Sequence, residues 1–270
     1  MAELNVQARL VATGRGWRWL TEGWKLFRVA PLSWIALVFG YLMLMTLVSA
    51  LPFVGVVAVL VLVPAFSVAL MAASRVCEQR QPVQMSLLFA GFRENLRGQL
   101  ILGGVYFGCV ALLFSASMLA DDGALARWMV TGVRPSVEVI QSDAFLRSLT
   151  IAAILYLPIM MLFWFAPTLV AWHSMPPAKA LFFSLFACLM NWRAFTIYSI
   201  ASALILLVAP FIVLLVLMLA SGGTMRPAVA AVLFPFVLSM MPTLYASFYA
   251  SYRDIFAPVP EQIEETASQD

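Results

Sequence analysis

Residues 29–74 read VAPLSWIALVFGYLMLMTLVSALPFVGVVAVLVLVPAFSVALMAAS, 46 positions between Arg28 and Arg75 without one Asp, Glu, Lys or Arg. As a single helix this run would extend about 69 Å, against roughly 30 Å of bilayer hydrocarbon. It therefore holds two crossings, with Leu51-Pro52 as the turn between them. The same pattern continues to Arg253. It places the crossings at about 32–50, 53–74, 98–120, 148–172, 195–220 and 228–252, with boundaries good to about 2–4 residues. Hydrophobic residues fill 63% of the 270 positions and charged residues only 11%, too little polar surface to clothe a soluble core. The expected fold is an all-α membrane protein, a six-helix transmembrane bundle.

Orientation follows from the cations. One side receives Arg9, Arg15, Arg18, Lys25, Arg28, Arg75, Arg80, Arg93, Arg97, Lys179, Arg193 and Arg253, which is 12 of the 16. The other receives Arg127, Arg134, Arg147 and Arg226. Because basic loops stay inside, both termini are expected in the cytoplasm. Residues 1–31 form a cytoplasmic amphipathic segment ahead of the spanning domain (32–252). The polar, acidic residues 253–270 are expected to be a disordered tail. The first apolar run is longer than a signal-peptide core and resumes after Val48-Ser49-Ala50, so it is expected to be retained.

An internal repeat runs through the chain. Pro167-Thr168-Leu169-Val170-Ala171 and Pro242-Thr243-Leu244-Tyr245-Ala246 share the pattern P-T-L-x-A, and Pro64-Ala65-Phe66-Ser67 is a weaker relative. A helix-like segment precedes each odd-numbered crossing: Trp17–Arg28, Gln84–Arg97 and Lys179–Arg193. Three parallel units, each a surface helix followed by a helical hairpin, account for this spacing. Each proline frees a carbonyl in the preceding turn, which Ser67, Thr168 or Thr243 is placed to satisfy.

In the first surface helix, Trp17, Leu20, Trp24 and Phe27 recur on one side, with Arg15, Arg18, Glu22 and Lys25 expected opposite them. That pattern reads as an interfacial helix with its aromatic face at headgroup depth and its cations on anionic lipid. The second carries Met85, Leu88, Phe89, Phe92 and Leu96. The third, with Phe182, Phe183, Phe186, Leu189 and Met190, is apolar almost all round and is expected to tuck beneath the bundle.

Little in the chain points to chemistry. No ionised side chain falls mid-span, where each would cost about 2.5–3.5 kcal/mol, which lowers the case for ion-coupled transport. His173 is the single histidine, and Cys77, Cys109 and Cys188 are widely spaced. No cofactor, metal site or catalytic group is expected, and nothing points to nucleic acid. Tyr245, Phe248, Tyr249 and Tyr252 form a stripe that reads first as an aromatic belt and packing face. Its sharper reading is an amphiphile cleft lined by Thr168, Thr243, Tyr245 and Tyr249. Ala65/Ala69/Ala73, Gly104/Gly108 and Ala246/Ala250 are small residues four apart. They fit close helix contact within the bundle, and homo-oligomer formation only secondarily. Leu125, Trp128 and Met129 suggest a short helix in the loop at 121–143.

The basic-aromatic Gly23-Trp24-Lys25-Leu26-Phe27, the Pro-Thr-Leu passage, Ala178-Lys179-Ala180-Leu181 and Ser184 together resemble a group of polytopic bacterial inner-membrane proteins. That group is similar to the membrane domain attached to some glycerophosphodiester phosphodiesterases. The resemblance implies a helical membrane part and no catalytic residues, since the phosphodiesterase domain is missing here. The expected role is a non-enzymatic inner-membrane protein serving membrane organisation or envelope integrity, with membrane lipids as partners. A transporter or facilitator of a small amphiphilic, lipid-like substrate is the alternative.

Overall fold

A computed structural model of the chain describes residues 7–52, 54–220 and 226–256. Residues 257–270, most of the expected tail, lie outside the described residues. Among those described there is no strand. The helices are α1 (Arg15–Val29), α2 (Pro31–Ser49), α3 (Gly55–Glu78), α4 (Ala90–Asp121), α5 (Ala124–Thr131), α6 (Val137–Ile140), α7 (Asp143–Phe163), α8 (Ala166–His173), α9 (Pro177–Met190), α10 (Trp192–Ala203), α11 (Ala209–Ala220) and α12 (Arg226–Phe256). A 3₁₀ turn at Met85–Phe89 leads into α4, and a π-helical segment at Leu204–Val208 joins α10 to α11.

Five helical stretches among the described residues are long and apolar enough to cross a membrane: Pro31–Ser49, Gly55–Glu78, Met85–Asp121, Asp143–His173 and Trp192–Val216. The crossing expected over 228–252 falls within α12, where the side chains of 226–235 lie outside the described residues. α12 also runs to Phe256, past the expected boundary at 253. Ile255 and Phe256 are 0% and 5% exposed, so apolar burial holds the extra turn in the helix.

The chain divides into two compact units. Among the described residues the first comprises 7–41, 69–88, 187–220 and 226–256. Here α1 lies on α10 and α12 because two of its positions have no side chain. A Cβ on Gly16 would stand 2.1 Å from the Ala194 carbonyl oxygen, and one on Gly23 would stand 2.5 Å from that of Thr243. Trp19, Leu20 and Phe27 are buried on the same face. A core of Phe27, Trp34, Leu37, Val38, Leu70, Ala73, Cys77 and Ala246 adjoins it. Trp34 Nε1 donates to Cys77 Sγ at 3.2 Å, which satisfies an indole that is 0% exposed.

The second unit comprises Leu42–Val68 and Phe89–Phe186. Gly91 and Gly103 bring α4 onto α3: their added Cβ atoms would lie 2.2 Å from Ala65 O and 1.9 Å from Val61 O. Gly104, beside Gly103, has nothing within 4 Å, nor has Gly108. The close approach is made one residue before the expected small-residue pair. α5 forms over the loop residues singled out by Leu125 and Trp128, with Leu125 buried against Phe145.

The surface segments turn into the apolar helices at three corners. Ala30 (φ −147°, ψ 64°) and Asn95 (φ −156°, ψ 70°) share one backbone geometry, and Asn191 (φ −103°, ψ 21°) occupies the third. At the second corner, Asn95 Oδ1 accepts from Gly98 N at 3.0 Å and caps the new helix.

Two sequence expectations are corrected. Neither Ser67 nor Thr243 reaches the carbonyl four residues before its proline: Ser67 donates to Pro64 O (2.7 Å) and Thr243 to Ser239 O (2.8 Å). The break in the fourth crossing is met from another helix. Ser184 Oγ accepts from Phe165 N at 2.9 Å and donates to Met161 O at 2.7 Å, inserting into the helical ladder between α7 and α8. α9 does not bury its aromatic residues. Ala180, Ser184, Ala187 and Cys188 are its buried positions, while Phe182 and Phe186 are 56% and 45% exposed. Small residues bring the helix close, and the phenyl rings point away.

Candidate functional site

The first unit carries a network of paired ionised groups with a defined geometry, and α1 is its centre. Asp254, near the end of α12, is 7% exposed. Its carboxylate accepts from Trp19 Nε1 at 2.7 Å, from Arg15 Nε at 2.5 Å and from Arg15 Nη2 at 2.6 Å. The Arg15 pair is bidentate, the strong geometry for guanidinium and carboxylate. Hydrogen bonding to Asp254 raises the Arg15 pKa above its ordinary value despite burial, which lowers it. Arg15 also meets Glu22 at 3.1 Å. Arg253 bonds both Glu22 and Glu78, and Tyr249 donates to Glu78. Ahead of α1, Arg9 N donates to Ile255 O (3.0 Å) and Arg9 Nε to Asp254 O, while Val11 N donates to Asn191 Oδ1 (2.8 Å). Together these bonds clasp the N-terminal segment and α1 onto the ends of α10 and α12.

With its inner face fixed, α1 turns a second face sideways. Trp17, Thr21, Trp24, Lys25 and Arg28 follow one another at helical spacing along a cleft of about 300 Å³. The opposite wall comes from Ser202, Ile205 and Leu206, and from Phe236, Met240, Thr243 and Leu244 of α12. Its volume is about twice that of an engineered ~150 Å³ apolar cavity that holds benzene. The walls are apolar, and the cations stand at one end. The Arg28 guanidinium lies 6.0 Å from the Trp24 ring centre, within the range of a cation–π contact.

The residues singled out in the sequence separate here. Trp17, Trp24 and Lys25 share the cleft face, so Lys25 is not opposite the aromatic stripe. Arg18 is exposed. Phe27 leaves the stripe for the core at 5% exposure, because Gly23 lets α1 come down on α12. Arg15 is committed to Asp254 and Glu22 and is not a lipid-facing cation. Of the four residues expected to line a cleft, Thr243 does so. Tyr245 stands edge-on to Tyr41 at 6.2 Å, and Tyr249 is engaged with Glu78. Thr168 belongs to the other unit, buried in α8. Sequence reading missed Asp254 and the wall at Ile205–Leu206. Asp254 follows the last basic residue of a span and looks there like the start of the acidic tail.

No family model and no solved structure matches the chain. A Burkholderia thailandensis protein named "Probable inner membrane protein" is 38% identical over 252 residues, covering 91% of this chain and 92% of that one. Near-complete coverage at that identity joins the two chains in one family, and the apolar helices described above supply its membrane character. The chain is a multi-helix protein of the inner membrane and belongs to the family of that Burkholderia protein.

Proposed function

We propose that the protein is a non-enzymatic inner-membrane component that holds anionic lipid against the cytoplasmic leaflet and so contributes to membrane organisation. One observation carries this reading. α1 is locked to the protein through Gly16, Gly23 and the Arg15–Asp254 pair, yet keeps Trp17, Trp24, Lys25 and Arg28 on an open face. An indole pair beside two cations suits the boundary between headgroup and acyl chain. The distribution of 12 of the 16 cations supports a cytoplasmic position for that face. Kinship with the membrane domains attached to some glycerophosphodiester phosphodiesterases, which we carry over from the sequence resemblance as part of this proposal, would agree with a lipid-facing role and bring no catalytic residues with it. The full-length protein in nanodiscs tests the reading: its melting temperature is expected to rise as phosphatidylglycerol replaces phosphatidylcholine. Equal stability in both lipids counts against it.

The cleft beside α1 favours one second reading, a facilitator for a small amphiphile. Proteoliposomes separate the two: faster movement of a fluorescent lysophospholipid between leaflets than in empty vesicles supports the facilitator, and unchanged movement supports the lipid-holding role.

A further inference from the structure

A second cleft adjoins the first. It measures about 450 Å³ and is lined by Trp17, Ile197, Ile200, Leu204, Val208 and Ile212, together with Ala201 and Ile205. Every residue in that lining is apolar apart from the indole N–H of Trp17. Trp17 and Ile205 line both clefts, so this pair forms the ridge between them. Ile205 belongs to the π-helical segment Leu204–Val208. Such segments close their hydrogen bonds one residue further along the chain than an α-helix does, and they occur often at functional sites. The first cleft descends from Leu244 to Phe236 of α12, about 12 Å at 1.5 Å per residue. Its cationic end lies at Lys25 and Arg28 of α1, with the Thr21 hydroxyl among the lining groups. The second cleft has no cation. One charged end and two apolar troughs divided by a ridge fit a particular shape of ligand.

We propose that the two clefts hold the two acyl chains of one anionic diacyl glycerophospholipid, straddling Trp17 and Ile205, with its phosphate at Lys25 and Arg28. The inference rests on the lipid-holding reading above and adds a stoichiometric site to it. Charge complementarity decides the head: two cations facing one phosphate discriminate against a zwitterion, whose own ammonium they repel. The divided apolar wall decides the tails, since a single chain would leave one trough exposed.

Native mass spectrometry of the full-length protein in neutral detergent tests this, with phosphatidylglycerol, phosphatidylcholine and lysophosphatidylglycerol as probes. One phosphatidylglycerol is expected to bind, more tightly than either competitor. Lys25→Gln with Arg28→Gln is expected to weaken it about 30-fold, roughly 5-fold for each cation. Ile205→Trp, which fills the ridge region without touching a charge, is expected to abolish the adduct. Leu112→Trp, at a 72% exposed site in the other unit, is expected to leave it unchanged. Melting curves of each variant confirm that it is folded.

Equal retention of phosphatidylcholine, or lysophosphatidylglycerol binding as tightly as the diacyl lipid, overturns the assignment. Displacement by excess glycerol phosphate alone also overturns it, since that marks a headgroup-only site. If anionic nanodiscs stabilise the protein while the cleft variants bind lipid normally, this inference fails and the broader lipid-holding role stands. If anionic lipid has no effect in either experiment, both fail.

Discussion

Replacing Asp254 by alanine removes the acceptor that joins α12 to α1. Trp19 Nε1, in a side chain that is 0% exposed, then loses its partner at a cost of about 1–3 kcal/mol. Arg15 is 24% exposed and retains Glu22 at 3.1 Å, so its share is smaller, about 1–2 kcal/mol. The sum is near 3 kcal/mol, which for a chain of this size lowers the melting temperature by about 6–12 °C. Asp254→Asn keeps one oxygen for the indole but loses the charge and turns the other oxygen into an amide donor facing Arg15, so at least half that shift is expected. A thiol-reactive dye provides the assay, because Cys77 and Cys188 are 1% and 2% exposed and react on unfolding. Limited trypsin digestion adds a local readout, with cleavage at Arg18 and Lys25 accelerating as α1 lifts. A melt of Asp254→Ala within about 1 °C of wild type would show that the clasp contributes nothing to stability.

Adjacent glycines are expected to respond with opposite signs. Gly103→Ala puts a Cβ 1.9 Å from Val61 O and should destabilise by about 1–3 kcal/mol, whereas Gly104→Ala enters open space and should stabilise by about 0.5–1 kcal/mol through helix propensity; thermal melts of both variants decide it. Gly16→Ala, 2.1 Å from Ala194 O, should likewise cost about 1–3 kcal/mol and expose α1 to trypsin. Ser184→Ala strips the bridge between Phe165 N and Met161 O and should lower the melting temperature by about 4–8 °C. An unchanged melt would mean the α7–α8 break closes on itself.

The apolar helices were legible because the hydrocarbon slab leaves its mark on every residue in a span. The interval from Arg28 to Arg75 can be read without knowing any contact. α1 was legible as a helix for the same kind of reason, its aromatic residues recurring at 3 and 4. Its faces were not. Gly16 and Gly23 carry no hydrophobic signal, yet they decide which side of α1 lies on α10 and α12, and with it the fates of Phe27, Arg15 and Lys25. α9 repeats the lesson, since a hydrophobicity pattern ranks Phe182 above Ala180 and Ser184 when close approach ranks them the other way. The Arg15–Asp254 pair joins residues 239 positions apart. Local sequence carries no trace of such a partner. The ridge at Ile205 depends on a π-helical segment, and Leu204–Val208 reads simply as five apolar residues.

Whether α1 holds lipid against the protein can be seen in a cryo-electron microscopy map of the full-length protein in phosphatidylglycerol nanodiscs. The expected map has α1 seated on α10 and α12, a headgroup density between Lys25 and Arg28, and chain density on both sides of Trp17. A map with α1 detached, or with clear side-chain density around an empty cleft, would contradict it.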